Sequence, residues 1–373
     1  MFNYETLKRH LDTLQYHTRN PDARAITLHC PDYTHPSRSE AEIVGRVFLA
    51  YGKMKEDQAE ASEWYLPSSM WQEHIAKAYW PLHSGWKENA IHRFHHFLTN
   101  FGAWKVDTGI EASALIRSPK WFMGRLYLQR VFHRQLMIWK WMCAEEKPIA
   151  CLTYPMYGNQ SGAHIEGEFV GMGSFFSEIY GSLLAGLVRH IERPVIADLG
   201  AGYGKLAYFI LRELDTYSFV DFDLPETLCL AAYYLMSAFP GRRTLLYGEE
   251  NYSVTTHEKY DFVFMPPWEM EKLGRSSIDL FVNKNSLGEM RKDAVSNYIK
   301  HITNSTRFFF HMNHDITRCT FSDGKHGLLG HEFPVAMGEF SLLFRYPDIG
   351  HLLYQGFLNF NMDIFLYLYE RKP

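Results

Sequence analysis

Three glycines at alternate positions, Gly200, Gly202 and Gly204, follow the apolar run PVIADL of residues 194–199. Glycine has no Cβ, so such a run can turn sharply and let a ligand lie against the main chain. A helix that starts directly afterwards adds free N–H groups at the same place. The pattern predicts a cofactor cradle at the carboxyl end of a strand. Its residues are Asp198, Gly200, Ala201, Gly202, Tyr203 and Gly204.

The spacing of these glycines separates two classes of cofactor site. A nicotinamide fingerprint requires G-x-G-x-x-G, and Lys205 occupies the position that its third glycine would take. A nucleoside site also needs a carboxylate near the end of the second strand, where it accepts both ribose hydroxyls. Asp223, 19 residues after Gly204 in the sequence F-D-L-P, meets that need. Asp221, which points to the same face of the strand, is the alternative.

The run D-x-G-x-G-x-G that begins at Asp198 resembles motif I of the Rossmann-like, S-adenosylmethionine-dependent methyltransferases. The F-D-L-P turn around Asp223 resembles the turn that places the ribose-binding aspartate in small-molecule O-methyltransferases. The resemblance implies that S-adenosylmethionine is the cofactor, with Asp198 close to its amino acid end and Asp223 on its ribose. It further implies that Leu224 and Pro266 line the cofactor site.

The segment F-M-P-P-W, residues 264–268, is placed like the D/N-P-P-Y/W motif of DNA amino-methyltransferases. In those enzymes an Asp or Asn side chain accepts hydrogen bonds from the target amino group, and the thioether of Met265 cannot replace it. The formal net charge of -4 provides no overall field that would attract DNA. We therefore expect no nucleic acid partner. Trp268 either stacks on adenine or a sugar face, or fills the core.

Polar residues from 283 to 286 end a later apolar strand, where side chains of a parallel sheet meet substrates. P-W-E followed by D-L-F-x-N and S-x-x-E-M is similar to sugar O-methyltransferases of bacterial polysaccharide and antibiotic-sugar pathways. The similarity extends to residues 97–102, 109–111 and 157–159. It implies a sugar or sugar-containing acceptor, either a small molecule or a glycan. The substrate-side candidates are Asn283, Ser286, Trp268, Asn159 and His164.

Methyl transfer to a hydroxyl needs aligned reactants and a base that accepts one proton. Glu289 is the first candidate, because burial beside a substrate pocket raises a carboxyl pKa into a useful range. The alternative is that Glu289 caps the following helix. His311, at the end of the strand RFFFHM, is the second candidate. His164 lies in a glycine-rich loop and either covers the pocket or faces solvent.

Alternating strand and helix patterns after residue 165 predict an α/β fold with a doubly wound, mostly parallel Rossmann-like sheet. The predicted strands are 194–199, 217–224, 244–248, 260–265, 278–283 and 307–312, with a C-terminal edge strand within 359–372. Apolar residues recur at helical spacing before residue 165, so this part is predicted to be an all-helical cap. The predicted domains are therefore 1–165, a helical substrate cap, and 166–373, the cofactor-binding methyltransferase domain.

The composition limits the other partners. Five scattered cysteines show no C-x-x-C pair, and no segment approaches the ~18 apolar residues of a membrane span, so we expect a cytoplasmic protein with no membrane partner. His92, His95 and His96 have helical spacing and could bind a metal, but an ordinary amphipathic helix is the favoured explanation of this pattern, and we predict no metal. The sequence leaves a homo-oligomer open.

Two other functions stay open at this point. One is a nicotinamide-dependent oxidoreductase with an aberrant glycine loop, and the other is a non-catalytic nucleoside-binding protein that retains the fold. Binding of NAD(H) without S-adenosylhomocysteine would favour the first, and binding of neither would favour the second.

Overall fold

A computed structural model describes residues 4–104, 122–143, 146–348 and 363–373. The motif at 109–111 lies outside these residues. The N-terminal part is mainly helical, as predicted, and none of the described helices is both long and apolar enough to cross a bilayer. Its helices are α1 (Tyr4–Arg19), α2 (Ala41–Asp57), α3 (Ser69–Ala78), α4 (Trp80–Lys87), α5 (Ile91–Asn100) and α6 (Phe122–Met142).

A small antiparallel sheet corrects the prediction that this part is all helical. Its strands are β1 (Thr27–His29), β2 (Gly162–Ile165) and β3 (Glu168–Gly171), in the order β1-β2-β3. The glycine-rich segment before residue 168 is therefore a hairpin strand as well as a loop. The predicted domain boundary at 165/166 falls in the turn between β2 and β3, and the division into two domains stays a prediction.

A larger sheet confirms the predicted α/β, doubly wound and mostly parallel architecture. Within the described part of the chain it has the order β10-β11-β9-β8-β4-β5-β7-β6; β11 pairs antiparallel with both β9 and β10, and the other neighbouring strands pair parallel. The strands are β4 (Val195–Leu199), β5 (Ser218–Phe222), β6 (Thr244–Leu246), β7 (Phe262–Met265), β8 (Ile278–Lys284), β9 (Thr306–His314), β10 (Phe340–Pro347) and β11 (Ile364–Arg371).

Helices and short turns connect these strands. The α-helices are α7 (Ser174–Val188), α8 (Lys205–Leu211), α9 (Pro225–Ala238), α10 (Thr256–Lys259) and α11 (Lys292–Ser305). Single 3₁₀ turns occupy Pro21–Ala25, Arg38–Glu40, Glu63–Tyr65, Ile149–Leu152, Pro267–Lys272, Leu287–Glu289 and Gly330–Glu332. The predicted helix 287–302 is thus a turn at 287–289 followed by α11.

Alternation along the strands explains why both faces of the sheet are covered. Successive side chains point to opposite faces, so Ile196 joins one buried cluster and Ala197 joins the other. The first cluster includes α2, α5, α8 and α9, while the second includes α11. The N-terminal helices therefore share a core with the sheet.

The C-terminal strand differs from its prediction. We expected an edge strand, yet β11 lies between β9 and β10 and is largely buried. The actual edge is β10, whose residues are mostly exposed and whose sequence lacks the alternation that marks a half-buried strand.

Candidate functional site

A cavity of about 410 Å³ opens at the carboxyl ends of β4, β5 and β8. The ends of parallel strands at a change in strand order are the usual place for a ligand in this kind of sheet. One side, which we call the glycine wall, consists of Asp198, Gly200, Ala201, Gly202, Tyr203, Lys205, Leu206, Asp223, Leu224 and Thr227. The other, the tryptophan wall, consists of Trp64, Tyr65, Leu66, Pro67, Ser68, Met70, Trp71, His74, Lys284, Asn285, Ser286, Glu289, Met290, Arg291, Ala294 and Tyr298.

The glycine loop turns immediately after β4, as its sequence predicts. Gly200 has a φ of 85° and its N–H donates to the carbonyl of Phe222 over 2.9 Å. A Cβ at Gly200 would lie 2.5 Å from Oγ of Ser286, so no larger residue fits without a shift. The loop therefore presents main chain to the cavity. The side chain of Tyr203 packs between Phe101 and Tyr234.

Carboxylates concentrate at the ends of the two central strands. Asp198 and Asp221 are register neighbours on β4 and β5, and both are buried. Asp223 lies in the cavity lining, while Asp221, the alternative, does not. Oδ2 of Asp223 accepts from the N–H of Gly202 over 3.3 Å, and Oδ1 accepts from the N–H of Leu224 over 2.7 Å.

The environment of these carboxylates favours their neutral forms. Burial, and secondly the charge of Asp223, raise the pKa of Asp198 well above its ordinary value. Burial raises the pKa of Asp223 to about 7, although hydrogen bonds from Leu224, Thr227 and Gly202 favour its charged form. Oδ1 of Asp198 is buried without a hydrogen-bond partner among the described residues. This arrangement suits a ligand that brings positive charge.

Residues at the end of β8 and just after it support the cavity through hydrogen bonds to β4. Nδ2 of Asn283 donates to the carbonyl of Leu199 over 2.7 Å and to Oγ of Ser286 over 2.5 Å. Oγ of Ser286 donates to the same carbonyl over 2.8 Å. Ser286 lines the cavity, whereas Asn283 is fully buried beneath it. Asn283 therefore ties β8 to β4, a supporting position that differs from the substrate contact we predicted.

Glu289 lies in the tryptophan wall, at the end of the turn Leu287–Glu289. Its Oε2 accepts a hydrogen bond from the indole Nε1 of Trp71 over 2.9 Å. Burial raises the pKa of Glu289, against this hydrogen bond and the charge of His314, which lower it. The carboxylate thus bonds an indole from α3 rather than capping α11, which starts at Lys292.

Pro266 and Trp268 are absent from the cavity lining, contrary to the roles we predicted for them. The reason is strand order, because β5 separates β7 from β4, and β8 takes the place beside β4. The indole of Trp268 packs edge-on against Tyr247 and lies 3.4 Å from its hydroxyl. Gly204 is also outside the lining and precedes α8 with a φ of 90°.

Asn159 and His164 belong to the N-terminal part and do not line the cavity. Nδ2 of Asn159 donates to the carbonyl of Asp32 and to Oδ1 of Asn100, so its amide is engaged in packing this part of the chain. His164 lies on β2 and contacts the ring of His29 edge-on. The structure therefore brings neither residue to the predicted substrate side.

His311 is fully buried and outside the cavity lining, which corrects its assignment as a base. Its ring stacks on Tyr367 with centroids 4.5 Å apart, and neither ring nitrogen has a hydrogen-bond partner among the described residues. Burial lowers the pKa of His311 to about 3. It faces this aromatic cluster because side chains of β9 alternate between the two faces of the sheet.

The three histidines of α5 lie apart from the cavity. Nε2 of His95 is 3.3 Å from Oε2 of Glu40, a carboxylate that the local sequence pattern does not reveal. In the ranges that the structure covers, no group of three His, Cys, Asp or Glu side chains is arranged to hold a metal ion.

The structure adds cavity residues that the motifs do not indicate. Nζ of Lys205 is buried and donates to the carbonyl of Met172 over 2.6 Å, which joins the glycine wall to the start of α7. Trp71, which binds Glu289, stands 218 residues earlier in the chain. The sequence offers a signal for Lys205, because it occupies the position where a nicotinamide fingerprint has its third glycine. No local signal distinguishes Trp71 from the other tryptophans.

No family model and no curated protein matches the chain. Solved structures that resemble it include mitomycin 7-O-methyltransferase, with 12% identity over 53% of this chain and 55% of that one, at a TM-score of 0.34. An O-methyltransferase family protein from Burkholderia thailandensis has 11% identity over 53% of this chain and 57% of that one, at a TM-score of 0.36. Geranyl diphosphate C-methyltransferase from Streptomyces coelicolor has 7% identity over 52% of this chain and 79% of that one, at a TM-score of 0.35. Similarity this low carries no argument about the reaction.

Proposed function

We propose that this protein is an S-adenosylmethionine-dependent O-methyltransferase that methylates a hydroxyl of a sugar or a sugar-containing compound. The observation that carries the proposal is the glycine wall, where a loop with glycine at alternate positions adjoins two carboxylates of raised pKa. The motif resemblance described above supports the same cofactor.

The residues of the glycine wall fit this cofactor. Its ammonium and sulfonium groups are cationic, and the carboxylates of Asp198 and Asp223 gain favourable charge interactions when a cation enters. Asp223 has the position needed to accept the two ribose hydroxyls. The pyrophosphate of a nicotinamide cofactor would instead bring negative charge against the same carboxylates. The electrostatics of the wall therefore favour the sulfonium cofactor over the oxidoreductase alternative.

The cofactor, when bound, supplies a methyl group activated by a positively charged sulfur. The chain has to hold the acceptor oxygen in line and to remove its proton. Glu289 is the residue to which we assign that proton, because it lies in the lining and its pKa is raised. Trp71 holds Oε2 of this carboxylate, and Oε1 is the oxygen to which we assign the proton.

The tryptophan wall supports a ring-bearing acceptor. Trp64 is 39% exposed, and it lies in the same lining as Trp71. Indole faces provide a broad apolar surface beside polar edges, which suits the apolar face of a pyranose with its hydroxyls directed elsewhere. Ser286 and Lys284 add polar groups in the same lining.

Calorimetric titration with S-adenosylhomocysteine tests the cofactor. We expect binding by the unmodified chain and binding about 10–100-fold weaker in Asp223→Asn, because hydrogen bonds to charged groups are worth about 1.5–3 kcal/mol. Asp215→Asn, at an exposed aspartate that precedes β5, is the control. Binding of NAD(H) in place of S-adenosylhomocysteine would refute the proposal.

Mass spectrometry of candidate acceptors tests the reaction. Incubation with S-adenosylmethionine and a panel of sugars, nucleotide sugars and glycans should add one methyl group to one of them. A methyl group found on carbon or nitrogen would contradict O-methylation while leaving the cofactor assignment intact.

A further inference from the structure

A second cavity of about 550 Å³ adjoins the tryptophan wall and shares Arg291 with it. We call it the basic cavity. Glu289, the assigned proton acceptor, precedes this shared Arg291 by two positions in the chain. Its lining is Glu63, Arg291, Lys292, Asp293, Ser296, Phe321, Lys325 and His326.

Positive charge predominates in this lining. Arg291, Lys292 and Lys325 supply three cations against the two carboxylates Glu63 and Asp293, which leaves one net positive charge when histidine is neutral. Nη2 of Arg291 is 2.9 Å from Oδ2 of Asp293 and 3.8 Å from Oε2 of Glu63. The carboxylates orient the guanidinium without cancelling the lysines.

Two separate elements supply the cationic groups. Lys292 is the first residue of α11 and is exposed. Lys325 and His326 belong to a tight turn, in which the N–H of Phe321 donates to the carbonyl of Lys325 over 2.8 Å. Nζ of Lys325 is 3.5 Å from Oδ2 of Asp323, an exposed contact of little strength. The lysines are thus available to an incoming anion.

The glycine wall and the basic cavity differ in their balance of charges. The glycine wall carries Asp198 and Asp223 against Lys205, whereas the basic cavity carries Arg291, Lys292 and Lys325 against Glu63 and Asp293. A cationic donor is favoured at the first and an anionic group at the second. Glu289 lines the first cavity, and Arg291, two residues later, lines both.

We propose that the methyl acceptor carries a phosphate or diphosphate group, that the basic cavity binds this group, and that the acceptor hydroxyl then reaches Glu289. This inference rests on the proposed function and adds the acceptor's chemical class. Guanidinium and ammonium groups from two elements bind phosphate oxygens with charge-assisted hydrogen bonds. A neutral sugar would form no ionic contact with Lys292 or Lys325.

Inorganic pyrophosphate is the probe, titrated by calorimetry into the full chain at low salt. We expect binding that weakens as salt rises, and that is at least about fivefold weaker in the double variant Lys292→Ala/Lys325→Ala. Lys300→Ala, an exposed lysine further along α11, is the matched control and should bind like the unmodified chain. Glu63→Gln should bind more tightly, because it removes a carboxylate from the lining.

Three results would overturn the inference: no binding at about 10 mM pyrophosphate, unchanged binding in the double variant, or displacement of pyrophosphate by S-adenosylhomocysteine. Unchanged binding in the double variant would show that the anion binds outside the basic cavity. Displacement by S-adenosylhomocysteine would show that it binds at the glycine loop. Titration of S-adenosylhomocysteine into the same samples separates the two proposals. If it binds and pyrophosphate does not, the acceptor class is wrong and the cofactor assignment stands. A phosphorylated sugar should also be methylated in preference to the same sugar without phosphate.

Discussion

The two walls of the cleft are assembled from the chain in different ways. The glycine wall comes from residues 198–227, where the end of β4, the glycine turn, α8, β5 and the start of α9 follow one another in the chain. The tryptophan wall joins α3 to the turn before α11, and its central hydrogen bond links residues 218 positions apart. Local sequence can therefore specify the first wall, while the second exists only once distant elements have packed.

This difference has a consequence for function. The glycine wall offers main-chain groups and carboxylates, which suit a ligand whose polar groups are always the same, such as a cofactor. The tryptophan wall offers large rings and the carboxylate of Glu289, which Trp71 holds, and these can change without altering the glycine loop. Changes in the two walls should thus separate cofactor binding from turnover, and four predictions test this.

The largest expected effect is on turnover through the tryptophan wall. Glu289→Gln removes the carboxylate to which we assign the proton, so we expect single-turnover methyl transfer to fall about 10²–10⁴-fold. Affinity for S-adenosylhomocysteine should stay within about twofold, since the glycine wall is unchanged. Glu73→Gln, at an exposed glutamate of α3, is the control. Turnover close to that of the control would show that another group takes the proton.

The next effect is on binding through the glycine wall. Gly200→Ala places a methyl group 2.5 Å from Oγ of Ser286 at a φ of 85°, so the loop must shift. We expect S-adenosylhomocysteine to bind about 30-fold more weakly, which corresponds to roughly 2 kcal/mol of displacement strain.

Gly241→Ala is the matched control for this clash. It has nearly the same φ, 84°, but no atom within 4 Å of the added Cβ. Both variants should lose thermal stability, and only Gly200→Ala should lose affinity. Equal affinities in the two variants would show that the loop does not contact the ligand.

The pH dependence of binding is a smaller test of the same wall. The pKa of Asp223 is raised to about 7, and the carboxylate form is the one that accepts ribose hydroxyls. Affinity for S-adenosylhomocysteine should therefore rise about tenfold between pH 6 and pH 8. Calorimetry across this range should show a nearly flat profile for Asp223→Asn, and a steep profile in that variant would assign the titration to another group.

The raised pKa of Asp223 has the opposite effect on the stability of the protein without ligand: this stability should fall as pH rises. A carboxyl whose pKa is raised on folding binds more protons in the native state than in the unfolded chain. Its contribution to stability is complete below the unfolded pKa and is lost as pH rises toward about 7. Ligand should accordingly stabilise the protein more at pH 8 than at pH 6, which thermal unfolding can measure.

The smallest effect concerns the bond across the tryptophan wall. Trp71→Phe removes the hydrogen bond that lowers the pKa of Glu289, so this pKa should rise further. We expect turnover to fall about fivefold, and the acid limb of its pH profile to move to higher pH. Trp80→Phe, on the neighbouring helix α4, should change neither. A lower rate with an unmoved profile would indicate a packing role alone.

Sequence reasoning predicted the glycine wall because its signals are local. The apolar run, the glycines and the carboxylate of Asp223 lie within one strand-turn-helix-strand unit, whose backbone geometry depends on neighbours in the chain. The same reasoning put Pro266 and Trp268 in the site. It identified β7 as a strand, but it could not determine that β5 would stand between β7 and β4.

His311 shows the same limit within a single strand. Its sequence context placed it on β9, but only packing decided that the ring would stack on Tyr367 and be fully buried. Burial in an apolar cluster makes the charged imidazolium unfavourable, which removes the proton-accepting role that its residue type suggests. The type of a residue and its position in a strand do not determine which side chains from other elements pack around it.

The sequence by itself determined the elements: apolar periodicity specifies strands and helices, and glycine specifies the turn at residue 200, because these depend on the conformational preferences of adjacent residues. Only the tertiary structure decided which strand lies beside β4, that Trp71 meets Glu289, and that a cationic cavity adjoins the cleft. These contacts join segments far apart in the chain, and their formation depends on how whole elements bury their apolar faces together.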